Sequence, residues 1–142
     1  FLLVIVAASL TACCTKKDCE GADEIFEIQF YNFSQTDLDT IKVISFSKNQ
    51  NFSVIIDSSV TQASDRGGYF SAYTVNRINT NLDYKIELPG TGLVYTLTGF
   101  ETEKEGCNSC FPYRPKSDLY NKLNSYRLNG VKQTGNQIKI YK

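Results

Sequence analysis

The chain has no histidine, no tryptophan and no methionine. Without histidine it lacks the commonest general base and the commonest metal ligand. Serine and threonine are plentiful, but no Gly-x-Ser-x-Gly motif and no imidazole exist to activate them. Its 15 basic and 15 acidic residues cancel, so no basic face is expected and nucleic acid is excluded as a partner. No apolar run reaches the roughly 20 residues that a membrane-spanning helix needs. No Asp-x-Asp-x-Asp-Gly loop offers calcium a site. No long helical periodicity is present either. These gaps point away from an enzyme and from any bound cofactor.

What is present begins with an uncharged apolar stretch over residues 1–8. Ser9-Leu10-Thr11-Ala12-Cys13 follows it and resembles the lipobox of bacterial lipoproteins, with Leu at −3, a small residue at −1 and Cys at +1. The resemblance implies cleavage before Cys13 and lipid (palmitate among its chains) on that residue. Residues 1–12 then form the apolar core of a signal peptide whose start is truncated, since no Met or basic segment precedes Phe1. Each buried methylene of an acyl chain adds about 0.8 kcal/mol, so several chains on one cysteine hold firmly. Residues 13–23 are polar and read as a flexible tether. Residues 24–142 are long enough to bury the core of one domain.

From residue 24 the pattern has period two. Phe26, Ile28 and Phe30 alternate with Glu27, Gln29 and Tyr31, which predicts a strand with one buried face. Residues 41–46 and 52–57 predict a hairpin, followed by a polar loop over 58–68. Residues 69–75 predict a fourth strand. Leu82, Tyr84, Ile86 and Leu88 alternate strictly with Asp83, Lys85 and Glu87; the turn Pro89-Gly90-Thr91-Gly92 joins them to a partner strand over 93–100. Residues 101–125 break the pattern, with a single helical turn expected over 117–123, capped by Ser117. Residues 126–128, the turn Asn129-Gly130 and residues 138–140 complete the chain. Seven to eight strands with turns near every tenth residue predict an all-β fold. A single antiparallel β-sandwich, Ig-like or transthyretin-like, is favoured over a small barrel.

Cys13 apart, four cysteines remain as disulfide candidates: Cys14, Cys19, Cys107 and Cys110. Export to an oxidising compartment favours structural bonds. Four cysteines allow three pairings. On the chain-entropy model the Cys107–Cys110 loop gains about 2 kcal/mol and a Cys19–Cys107 loop about 4.5 kcal/mol, so a bond from Cys19 to the 107/110 pair is preferred. A redox role for Cys107-Asn108-Ser109-Cys110 would need a βαβ setting, and a zinc site would need the same four thiolates. Glu101, Glu103 and Glu105 alternate along one face or lie in a solvated loop. Asp39-Thr40-Ile41 resembles the Asp-Ser/Thr-aliphatic O-glycosylation sites of Bacteroidota envelope proteins.

The lipobox, short tether, late Cys-x-x-Cys and terminal Asn-Gly hairpin together resemble small envelope lipoproteins of the Bacteroidota. The resemblance implies a protein lipid-anchored at the outer membrane, on its periplasmic or surface face. It implies a binding or scaffolding role, with glycan capture and thiol–disulfide exchange through Cys107 and Cys110 as alternatives. Phe111, Tyr113, Tyr120 and Tyr126 gather in the least regular segment, where they either contact a glycan or an envelope protein partner or close the end of the core.

Overall fold

The structure, a computed structural model of the chain, describes residues 15–16, 19–109 and 119–142. It is all-β, with two packed sheets and no closed barrel, as the sandwich expectation requires. In chain order the strands are β1 (Thr15–Lys16), β2 (Glu27–Tyr31), β3 (Ile41–Ser47), β4 (Ile55–Thr61), β5 (Ala63–Asp65) and β6 (Phe70–Tyr73). Then come β7 (Leu82–Leu88), β8 (Leu93–Gly106), β9 (Asn108–Ser109), β10 (Leu119–Leu128), β11 (Val131–Thr134) and β12 (Ile138–Tyr141). The large sheet has the order β11-β10-β8-β7-β3-β4 and the small one β12-β2-β6-β5, while β1 and β9 form a separate two-stranded pair among the described residues.

The core lies between the sheets. Ile28 and Phe30 from β2, Ile41 from β3, Ile86 and Leu88 from β7, Leu97 from β8 and Ile138 and Ile140 from β12 are all fully buried. Burying each such side chain contributes about 1.5–3 kcal/mol. The chain crosses between the sheets at both margins. Gln62 alone separates β4 in the large sheet from β5 in the small one, and residues 135–137 carry β11 into β12. These crossings tie the two layers together.

The sheets contain ten strands among the described residues, more than the seven to eight expected, and one pair is parallel. β12 lies beside β2 in parallel register, Ile138 opposite Ile28 and Ile140 opposite Phe30. The expected strand over 52–57 starts later, at Ile55, because Phe52 adopts a left-handed φ of 58°. Its ring instead packs edge-on against Phe46 on the outer face of the large sheet, 5.3 Å between centroids, and Lys85 lies over both rings. The expected polar loop after it is partly strand, since β4 runs on through Ser58 and Ser59 to Thr61. An edge strand exposes one margin and part of its face, so polar residues fit there.

Residues 101–125 also differ from expectation. β8 continues to Gly106 and pairs with β10 all the way to Leu119, forming a ribbon that extends beyond the other strands of the sheet. Of the expected helical turn over 117–123, residues 119–123 are strand, and residues 117 and 118 lie outside the described residues. A bulge interrupts the ribbon where Ser125 faces Glu101 and Arg127 faces Thr98. Gly99 sits in that bulge at φ 58°, and a Cβ there would meet the Arg127 side chain at 3.2 Å. Glycine supplies the backbone conformation, and the bulge bends the strand.

The N-terminal segment is docked on this ribbon from residue 19 onward, within the stretch expected to be tether. The Ala22 amide donates to the Asn121 carbonyl at 2.7 Å, and Ala22 and Ile25 are buried in the same core cluster as Leu123 and Phe100. Thr15 and Lys16 pair with Ser109 and Asn108 near the ribbon's end. A Cys19–Cys107 disulfide fastens the same region, with 5.6 Å between the Cα atoms.

Candidate functional site

Cys13, Cys14, Cys110, Phe111 and Tyr113 lie outside the described residues. Cys19 and Cys107 form the disulfide described above, so the preferred pairing of Cys19 with the 107/110 pair is the one present. That bond takes Cys107 away from a local bridge with Cys110, which a Cys-x-x-Cys redox motif needs. Tyr120 stands on β10 opposite Glu105, half-buried, its hydroxyl donating weakly to the Glu105 carboxylate at 3.5 Å.

Of the two places open to Tyr126, contact with a ligand or closure of the core, it takes the second. It is 2% exposed and belongs to the core. Its hydroxyl accepts from the Lys139 amide at 2.7 Å and donates to the Lys139 carbonyl at 3.2 Å. Burial pushes its phenol pKa up, opposed in part by the bond to Lys139. A buried tyrosine whose polar end is satisfied closes a core rather than greeting a ligand.

The three glutamates are likewise absorbed by the ribbon. Glu101 accepts from Lys132 Nζ and from Ser125 Oγ, each at 2.7 Å. These bonds hold its carboxyl below the usual carboxylate range. Glu105 pairs with Lys122 at 2.7 Å. Cross-strand cations leave no carboxylate cluster for a cation, and no group of three metal-ligating side chains exists among the described residues.

A concavity among the described residues lies elsewhere, between the inner face of the large sheet and the loop after β6. It is a half-open cleft of about 240 Å³. Val43 and Tyr84 form its floor with Ile78 and Leu82, while Ser59 and Asp57 on β4 and Asn76 and Arg77 on the loop form its rim. Position follows from register: Ser45 faces Tyr84 on one side and Asp57 on the other, so all three strands present their inward side chains here. β4 is the last strand of its sheet, so among the described residues no further strand pairs with its outer edge.

The polar groups around the cleft are held in place. Asn76 donates to the Asp57 carboxylate at 2.6 Å. The Tyr84 hydroxyl accepts from the Asn79 amide at 2.7 Å, which fixes the loop against the floor; burial pushes the Tyr84 pKa up. The Lys48 ammonium, the carbonyl of Thr80 and the carboxylate of Asp83, which accepts from Asn49, brace the adjoining turn. Arg77 is exposed, and its guanidinium makes no hydrogen bond or ion pair among the described residues. Ile56, which also lines the cleft, is 54% exposed. An apolar floor and a few placed polar groups suit binding. The sequence concealed this site because residues 76–79 read only as a turn and 58–68 only as a loop.

A second surface feature is a row of tyrosines across the outer face of the small sheet. Tyr31 stacks on Tyr69 at 5.4 Å and on Tyr141 at 4.9 Å. The rings cover one another's faces, which makes the row a cross-strand brace.

Comparison of the chain with protein-family models, with curated proteins and with solved structures finds no match in any of the three.

Proposed function

We propose that the chain is a lipid-anchored, non-enzymatic binding protein of a bacterial envelope, attached through Cys13 to the outer membrane. The observation that carries this reading is the Cys19–Cys107 bond lying just downstream of the Leu10-Thr11-Ala12-Cys13 motif. A bond of this kind belongs to an exported protein, as does a lipobox. The fold supplies a rigid sandwich, and the cleft beside β4 supplies the binding surface.

The test is fractionation of the full chain in a bacterial host. The native chain should sediment with membranes and incorporate a palmitate analogue, and Cys13→Ala should abolish both. A folded and processed Cys13→Ala chain that still sediments with membranes would overturn the anchor.

Capture of a glycan is the more specific reading, favoured by the cleft's groups. Asp57, Asn76, Arg77 and Ser59 combine acceptors and donors around an apolar floor. Carboxylate, amide and guanidinium groups bind adjacent hydroxyls in pairs, and an apolar floor takes the C–H face of a sugar ring. At about 240 Å³ the cleft suits one or two sugar units rather than a long chain.

A further inference from the structure

A flexible tether of about ten residues would let a domain tumble at a membrane, its mean reach being roughly 17 Å. This chain replaces most of that tether with fixed contacts. Thr15 and Lys16 pair with β9, and Cys19 is bonded to Cys107. Only Cys14 separates the lipid-bearing Cys13 from Thr15. Two residues of extended chain span at most about 7 Å. Whatever region holds β1 therefore lies within that reach of the acyl chains.

That region is the far end of the β8–β10 ribbon. β9 begins just after Cys107, which follows the last residue of β8, and Gly106 pairs with Leu119. The opposite pole is the turn joining β7 to β8. Between Val94 and Gly106 the strand path runs about 40 Å at 3.3 Å per residue. The ribbon end also presents an apolar side chain, Leu119, which is 52% exposed.

Building on the lipid anchor at Cys13, we propose that the ribbon end carrying β1 and Leu119 is the membrane-facing end of the protein and rests against the lipid headgroup layer. The turn between β7 and β8 then points away from the membrane. The partner of this surface is the bilayer itself, into whose interfacial zone an exposed leucine is readily accepted.

The test uses the lipidated full chain in vesicles of phosphatidylethanolamine and phosphatidylglycerol that carry a headgroup-linked energy acceptor. A donor fluorophore is introduced as a noncanonical side chain at position 119 or at position 94. Both sites are about half exposed, at 52% and 50%, so neither label disturbs the core. Transfer from position 119 should exceed transfer from position 94 several-fold. Equal transfer from a chain that floats with the vesicles would overturn the orientation and leave the anchor standing. A lipidated chain that does not float with the vesicles would overturn the anchor and the orientation together.

Discussion

Tyr126 and Lys139 are joined twice: the phenol oxygen accepts from the Lys139 amide and donates to the Lys139 carbonyl. The contact spans the sandwich from β10 in the large sheet to β12 in the small one. It satisfies both backbone polar groups of Lys139 that face away from β2. Tyr126→Phe keeps the ring and removes the oxygen. Leaving buried polar groups without a partner costs about 1–3 kcal/mol, and urea denaturation should register a loss of that size. A loss below about 0.5 kcal/mol would mean that water replaces the phenol.

The Cys19–Cys107 bond closes a loop with a sequence separation of 88 residues. Removing it with Cys19→Ser or Cys107→Ser should lower stability by about 2–5 kcal/mol, and reductant should have the same effect on the native chain. Non-reducing peptide mapping should recover the Cys19 and Cys107 peptides joined, and free thiols at both positions would rule the bond out.

Asp37 shapes the acid limb of stability. Its carboxylate accepts from Lys142 Nζ and from the Ser34 amide, each at 2.8 Å. These bonds lower its pKa from 3.8 to about 2. Below 3.8 the unfolded chain takes up a proton that the folded chain refuses. The stabilisation is therefore complete above that pH and is lost as the pH falls towards 2. Asp37→Asn should flatten the fall in stability between about pH 4 and pH 2, as followed by circular dichroism. An unchanged acid profile would show that other carboxylates govern it.

The cleft predicts a separation of binding from stability. Asp57→Ala and Arg77→Ala each remove a charged group at the rim and little of the core. Loss of a hydrogen bond to a charged group costs about 1.5–3 kcal/mol, equivalent to roughly 10- to 150-fold in affinity. Each variant should lose glycan-array signal by a factor in that range while its melting temperature stays nearly constant. Retained signal in both would remove the cleft from consideration.

Much of the fold was legible where one face is buried and the other solvated. Leu82–Leu88 alternates strictly and forms β7 with the expected bounds, and Asn129-Gly130 forms the expected hairpin turn at positive φ. The ribbon was not legible, because Glu101, Glu103 and Glu105 have the composition of a loop. They tolerate a strand because Lys122 and Lys132 stand across from them in solvent. Of β4 only the first residues, 55–57, were legible; its continuation through Ser58 and Ser59 suits an edge strand but carries no hydrophobic signal. The parallel β2–β12 pair depends on residues more than a hundred positions apart, beyond any local pattern. The cleft fails to show for a similar reason. It is assembled from β3, β4, β7 and one loop, and each contributes residues that are unexceptional in their own segment.

The disulfide also sets how the chain responds to tension. A pull applied between the two ends passes from Cys19 directly to Cys107 and leaves the intervening stretch slack. While the bond is intact, that stretch adds nothing to the contour that force can draw out. The hidden length, for a separation of 88 residues, is roughly 300 Å of extended chain. Only the segments before Cys19 and after Cys107 can lengthen, so reduction of one bond would convert a short, stiff link into a long, compliant one.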